Sequence, residues 1–267
     1  MTRADRCSVE GRWLPFGVPA GDVRLYCLPH AGGSASAYRS WVGRIDGVAV
    51  CPLQPPGRES RLKDAPHVRM EPMVAEITDV ILSQDTMPYA LYGHSLGALI
   101  GFEVVREIRR RGGAAPVHFF ASGCPAPDYR ESTKPVSAMT DAQVVDLLRK
   151  LGGTPEWVLA DQSVLAMILR PFRADFSVKE TYEYQPEPPL STPITVIAGT
   201  DDPRAGIETM AGWREQTTAP YRLHTVTGGH FAVLERPEVT HKIIAEALAM
   251  TAAAGPQTTS PRYGGAR

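Results

Sequence analysis

The pentapeptide Gly93-His94-Ser95-Leu96-Gly97 sets a serine in the pattern Gly-x-Ser-x-Gly. A serine hydroxyl is a weak nucleophile alone. It becomes a useful one when a histidine takes its proton and a carboxylate holds that histidine in the right tautomer. The flanking residues suit such a role. Tyr89-Ala90-Leu91-Tyr92 reads as a short buried strand, and the run from Ala98 to Arg106 reads as a helix. A strand, a sharp turn and a helix would present the Ser95 hydroxyl at the carboxyl end of a sheet. The glycines are required because a Cβ at either position would clash with the neighbouring strand or helix.

The base and the acid must then follow in the order Ser, Asp or Glu, His. His230 fits the base, in the glycine-rich loop Thr227-Gly228-Gly229-His230-Phe231 after a late strand. The other histidines fit less well. His30 and His94 flank motif glycines and suit loop orientation, His118 and His224 lie in strand-like runs, and His67 and His241 read as surface residues. The acid lies between Asp201 and Asp202, which both follow the run ending at Ala198-Gly199. The turn pattern Gly-x-x-Asp favours Asp202, with Asp201 as the alternative. An oxyanion hole needs two backbone N–H donors. One is expected from Leu96, just after the nucleophile, and the other from Pro29-His30-Ala31-Gly32-Gly33, at Ala31.

Positioning these residues takes a sheet. Val23–Leu28, Val48–Leu53, the strand before Ser95, Val117–Ser122, Ile194–Gly199 and Tyr221–Val226 read as strands. Helical spacing spans Ala37–Ile45, Met70–Leu82, Met210–Gln216 and Pro237–Thr251. Strands alternating with helices predict an α/β fold, a mainly parallel central sheet covered on both faces. The core is expected over 13–123 and 190–251. Between them, 124–189 shows no clear buried strand but has helical runs at Asp141–Leu151 and Gln162–Phe172. Thr140-Asp141-Ala142-Gln143 carries a helix-start signal. This stretch reads as a helical lid insertion over the sheet's carboxyl edge. Residues 1–12 and 252–267 read as loose termini.

Composition narrows the class. Of 267 residues, 43% are hydrophobic and 21% charged, which supports a packed core. The net charge of −1 gives no nucleic-acid footprint. The basic run Arg109-Arg110-Arg111 suits the end of the helix after Ser95, where cations complement the dipole. The four cysteines, Cys7, Cys27, Cys51 and Cys124, have no metal or redox spacing, and Cys27 and Cys51 read as small core residues. No signal peptide or membrane span is visible, so a cytoplasmic setting is expected.

Several motifs together carry a more specific resemblance. Leu28-Pro29-His30-Ala31-Gly32-Gly33-Ser34-Ala35 resembles the early loop of type II thioesterases, the stand-alone editing enzymes of polyketide and nonribosomal peptide biosynthesis. Gln54-Pro55-Pro56-Gly57-Arg58-Glu59-Ser60-Arg61 resembles their second-strand loop. Leu151-Gly152-Gly153-Thr154-Pro155 and Leu169-Arg170-Pro171-Phe172-Arg173-Ala174-Asp175-Phe176 resemble their lid, and Gly228-Gly229-His230-Phe231 their base loop. The resemblance implies an α/β-hydrolase fold. It also implies hydrolysis of acyl thioesters on the phosphopantetheine arm of acyl or peptidyl carrier proteins. The chain itself would then need no cofactor and no metal, and would meet neither nucleic acid nor membrane. A chain-releasing thioesterase and a general small-ester esterase of the same fold are the alternatives. A non-catalytic binding protein is a further one, disfavoured because every triad member is available.

Overall fold

Six apolar runs become six strands in the computed structural model, which describes residues 11–84, 87–129 and 135–253. They are β1 (Val23–Leu28), β2 (Val48–Pro52), β3 (Tyr89–His94), β4 (His118–Ser122), β5 (Ile194–Gly199) and β6 (Tyr221–Val226). All pair in parallel in the order β2-β1-β3-β4-β5-β6. Gly93 at the end of β3 sits level with Leu28 on one side and Ala121 on the other. The strand ends that carry the candidate residues therefore open on one edge of the sheet. The all-parallel sheet is the architecture that the strand–helix alternation predicts, and it fits the α/β-hydrolase fold that the resemblance implies.

Side chains alternate across this sheet, and each face finds its own core. Tyr26, Leu28, Phe119, Ala121, Val196 and Ala198 face one cluster. Their neighbours Leu25, Cys27, Phe120 and Ile197 face the other. Period-two alternation with both sets apolar is what a sheet covered on both sides demands. Helices α1 (Met70–Leu82) and α2 (Leu96–Arg110) fill the first face, with Trp213. Tyr38, Trp41 and helix α8 (Pro237–Ala253) fill the second. Cys27 and Cys51 are buried free thiols, and Cys124 is buried as well; Cys7 lies outside the described residues.

Between β4 and β5 the described residues form three α-helices, α3 (Asp141–Leu151), α4 (Glu156–Ala160) and α5 (Gln162–Glu180), after a 3₁₀ turn at Val136–Ala138. The Thr140 signal is a complete capping box: Thr140 Oγ1 accepts from the Gln143 amide at 3.3 Å, and Gln143 Oε1 accepts from the Thr140 amide at 3.1 Å. These helices share a small core of Val144, Leu148, Leu159, Leu169, Phe172 and Phe176, against which Ala31 packs. Each such side chain contributes about 1.5–3 kcal/mol of burial. The short helices α6 (Ile207–Ala211) and α7 (Ala232–Glu235) complete the described helices.

Three helical expectations shift. The run over Ala37–Ile45 is a 3₁₀ helix at Ala35–Trp41, stopped before Ile45 where Gly43 turns left-handed at φ 70°. The run over Met210–Gln216 splits at Gly212 into α6 and a 3₁₀ turn. Helix α5 passes through Pro171 and continues to Glu180. There the burial of Phe172, Asp175, Phe176 and Val178 outweighs the proline's missing N–H donor. The expectation for the termini falls mostly on 1–10 and 254–267, outside the described residues.

Candidate active site

Ser95 stands between β3 and α2 in a conformation few side chains adopt, with φ 55° and ψ −121°. Such backbone strain costs on the order of 1–3 kcal/mol and persists only where the surroundings enforce it. They do so here. A Cβ on Gly93 would overlap the Gly97 carbonyl, and one on Gly97 would overlap the Leu28 carbonyl. Strand and helix thus approach as closely as glycine permits. The Ser95 amide is anchored to the Ser122 carbonyl of β4 at 2.7 Å.

The carboxylate and imidazole come from the ends of the last two strands. Asp202 follows β5 and His230 follows β6; both are buried. His230 Nδ1 lies 2.8 Å from Asp202 Oδ2. With the carboxylate accepting, the ring proton sits on Nδ1 and Nε2 is left as an acceptor. The second oxygen, Asp202 Oδ1, accepts from the amides of Arg204 at 2.9 Å and Ala205 at 3.2 Å. Burial alone would raise the Asp202 carboxyl, but the His230 hydrogen bond and charge, with the two amides, hold it below the usual carboxylate range. Asp201 points elsewhere. It is exposed and accepts from Thr200 Oγ1 at 2.8 Å. Of the two adjacent aspartates, Asp202 is the one that meets the histidine.

Two further histidines crowd the base. His94 lies 4.9 Å from His230 and 5.9 Å from His30 between ring centroids. Phe231 packs edge-on to His30 at 4.8 Å and to His230 at 5.1 Å. Burial, aided by the nearby His230 and Arg58 charges, lowers His30 to about 3. Burial also takes His94 well below its ordinary value. Both rings are neutral packing surfaces near neutral pH. Gly123 leaves room for His94 and His230, since a Cβ there would stand 2.6 Å from the His94 ring and 3.3 Å from the His230 ring. His67 is not a plain surface residue, for its Nε2 lies 2.8 Å from Glu76. His241 packs against Trp41 at 4.8 Å.

Ser95, His230, Ala31 and Leu96 all line one cavity of about 240 Å³, roofed by α3, α5 and the Gly152–Pro155 loop. That is just below the roughly 300–1,000 Å³ typical of small-molecule sites. Leu96 is the first residue of α2, so its N–H is one of the helix's unsatisfied N-terminal donors. Ala31 sits in a four-residue turn closed by the Gly33 amide on the His30 carbonyl at 2.8 Å. Gly32 supplies the left-handed position of that turn at φ 75°. Lys179 and Arg204 also reach the cavity wall. Among the described residues no group of three His, Cys, Asp or Glu side chains converges as a metal-binding set.

One pair of side chains here leaves no signal in the local sequence. Arg58, after β2, and Asp175, on α5, form a buried bidentate ion pair at 2.5 and 2.7 Å. Both stand in motifs quoted above, but their meeting across 117 positions leaves no local signal. The arginine cluster is clearer: Arg109 and Arg110 each reach Glu187 at 2.7 Å, and Arg111 reaches Glu107 at 2.6 Å. It ties the end of α2 to the chain before β5.

A strained serine elbow, a buried Asp–His pair in the expected order and six parallel strands define an enzyme of the α/β-hydrolase class. Comparison with known proteins narrows the class. A thioesterase domain family model matches residues 23–247. The gramicidin S biosynthesis protein GrsT of Aneurinibacillus migulanus is 37% identical over 217 residues, covering 81% of this chain and 85% of that protein. Thioesterase PikA5 of Streptomyces venezuelae is 35% identical over 234 residues, covering 83% and 80%. The solved structure of the type II thioesterase BorB from the borrelidin biosynthetic cluster is 35% identical, with a TM-score of 0.79, over 86% of this chain and 95% of that one. The chain belongs to the thioesterase family and is a thioester hydrolase.

Proposed function

We propose that this enzyme frees acyl groups held as thioesters on the phosphopantetheine arm of acyl or peptidyl carrier proteins, clearing a polyketide or nonribosomal peptide synthase of aberrant chains. The observation that carries the chemistry is the buried 2.8 Å contact of His230 with Asp202 at the cavity that Ser95 lines. The biosynthetic settings printed for GrsT and BorB support the carrier-bound substrate.

The geometry supports the following course. His230 Nε2 takes the Ser95 proton as Ser95 Oγ attacks the thioester carbonyl. The Ala31 and Leu96 amides hold the oxyanion of the tetrahedral intermediate. A single such donor is typically worth about 10²–10³ in rate. The carbon–sulfur bond then breaks, and the thiol departs with the proton carried by His230. A thiol is far more acidic than an amine, so it is a good leaving group and needs little help. His230 next takes a proton from water, the hydroxyl attacks the acyl-serine, and the free acid leaves with Ser95 restored. Nucleophile, base and oxyanion donors all come from the chain, so the reaction so drawn needs no cofactor. The small cavity suits a short acyl chain.

The buried free thiols of Cys27 and Cys51 suit a reducing compartment, and we place the enzyme in the cytoplasm beside its synthase. Among the described residues no helix is long and apolar enough to cross a membrane. The test is mass spectrometry of a panel of acyl-loaded carrier proteins with wild type and Ser95→Ala. Loss of the acyl mass with wild type alone is expected. Faster turnover of nitrophenyl esters than of any acyl carrier would favour a general esterase instead.

A further inference from the structure

The lid helix reaches into the machinery of the oxyanion. Asp175 Oδ2 accepts from the Gly32 amide at 2.7 Å and from Arg58 Nη1 at 2.5 Å, while Oδ1 accepts from Arg58 Nη2 at 2.7 Å. Arg58 Nη1 also donates to the Gly33 carbonyl at 3.0 Å, and Nε to the Pro56 carbonyl at 3.2 Å. Asp175 is 2% exposed and Arg58 5%. One lid carboxylate and one core guanidinium thus hold both glycines of the turn that carries Ala31.

What they hold can flip. A turn with its third residue near φ 75° differs from the commoner type by a half-rotation of the middle peptide. Here that peptide joins Ala31 to Gly32, and its N–H is the one Asp175 takes. Flipping it would turn the Ala31 carbonyl toward a carboxylate and reverse the dipole beside the Ala31 amide. The helix bearing Asp175 also packs its Phe172 under the turn, 3.1 Å from where a Gly32 Cβ would stand.

We propose that Asp175 is a positioning residue for the oxyanion hole: held by Arg58, it fixes the His30–Gly33 turn in the form that presents the Ala31 amide to the reacting carbonyl. The inference rests on the assignment of the oxyanion donors above. It makes the seating of α5 a condition for transition-state stabilisation, while the Asp202–His230 pair on β5 and β6 stands apart from it.

The test uses the full chain and two double variants, Arg58→Met/Asp175→Leu and Arg58→Met/Asp175→Asn. Both remove the buried charges together, so neither leaves an ion unpaired. They differ in whether position 175 offers an acceptor to the Gly32 amide. Hydrolysis of a short-chain acyl N-acetylcysteamine thioester is followed by thiol release. Binding is measured for a trifluoromethyl ketone analogue, which forms an oxyanionic adduct on Ser95, and for an unreactive thioether analogue. The Leu form is expected to lose about 10- to 100-fold in kcat, less than outright removal of a donor. Its KM and thioether affinity should hold while the ketone affinity falls in step with kcat. The Asn form should recover most of the loss. Equal activity in the two forms, or ketone and thioether affinities falling together, would overturn the proposal. If the Leu form does not fold, Asp175→Glu keeps both charges, displaces the acceptor by a methylene and should show the same kcat and ketone losses; unchanged values there would also overturn it. Ser95→Ala in the same assay separates the two readings. Activity surviving that change removes the site assignment itself, whereas activity lost there but unaltered in the Leu form removes only the role of Asp175.

Discussion

Replacing Asp202 by asparagine should disable the enzyme almost completely, and the hydrogen bonds around Asp202 show why. Its Oδ1 accepts from two amides, Arg204 and Ala205. An asparagine there must keep its carbonyl oxygen on those amides, because its NH₂ would meet two donors head-on. The NH₂ group then faces His230 Nδ1, which must become the acceptor. The imidazole proton moves to Nε2, where it blocks removal of the Ser95 proton. This inverted tautomer is the known route to losses of about 10⁴-fold in kcat, or about 5.4 kcal/mol of transition-state stabilisation. KM should change little, since Asp202 is not among the residues lining the cavity. Asp201→Asn is the companion, expected within about twofold of wild type because its exposed carboxylate meets Thr200 and does not reach His230. The assay is steady-state release of thiol from an acyl thioester, with circular dichroism to show that both variants are folded. A tenth or more of the activity remaining in Asp202→Asn, or abolition by Asp201→Asn, would refute the reasoning.

Acid should weaken the fold before most carboxylates titrate. The unfolded chain protonates histidine near pH 6.5, whereas the native state keeps His30 neutral to about 3 and His94 neutral well below its ordinary value. As pH falls below 6.5 the unfolded state binds more protons, so each ring lowers stability by up to about 1.4 kcal/mol per pH unit. Urea melts at pH 7, 6 and 5 should show this slope, and a flat line would count against the buried neutral rings. At the elbow, Gly93→Ala should cost at least about 3 kcal/mol, since its Cβ would overlap the Gly97 carbonyl. Gly206→Ala, with nothing within 4 Å of the added carbon, should stay within about 1 kcal/mol. Thermal melts of the two decide it: similar Tm losses would contradict the close approach of β3 and α2.

Much of this was legible in the chain. The six strands, the elbow and the His230 loop declare themselves by local pattern: apolar alternation, glycine at a forced turn, and order along the sequence. Asp202 was separable from Asp201 by turn spacing, and the two amides on Oδ1 give that spacing its meaning. What stayed hidden depends on distant partners. Helix α5 outruns Pro171 because of residues it buries against, which no window of its own sequence contains. The packing of His30 and His94 around His230 needs the ends of β1, β3 and β6 brought together by the sheet. The Arg58–Asp175 pair is of the same kind: two charged residues 117 positions apart whose meeting no local stretch of sequence contains.

The strand order also bears on how the enzyme comes into being. The nucleophile follows β3 near the middle of the sheet, but its acid and base follow β5 and β6, at one margin and late in the chain. During synthesis the elbow can form against β1 and β4 while the base has yet to emerge. A serine without its base is a weak nucleophile, so a nascent chain carries its most reactive residue in an idle state. Hydrolytic power therefore needs the last strand docked on β5, so activity reports that the late margin of the sheet is in place.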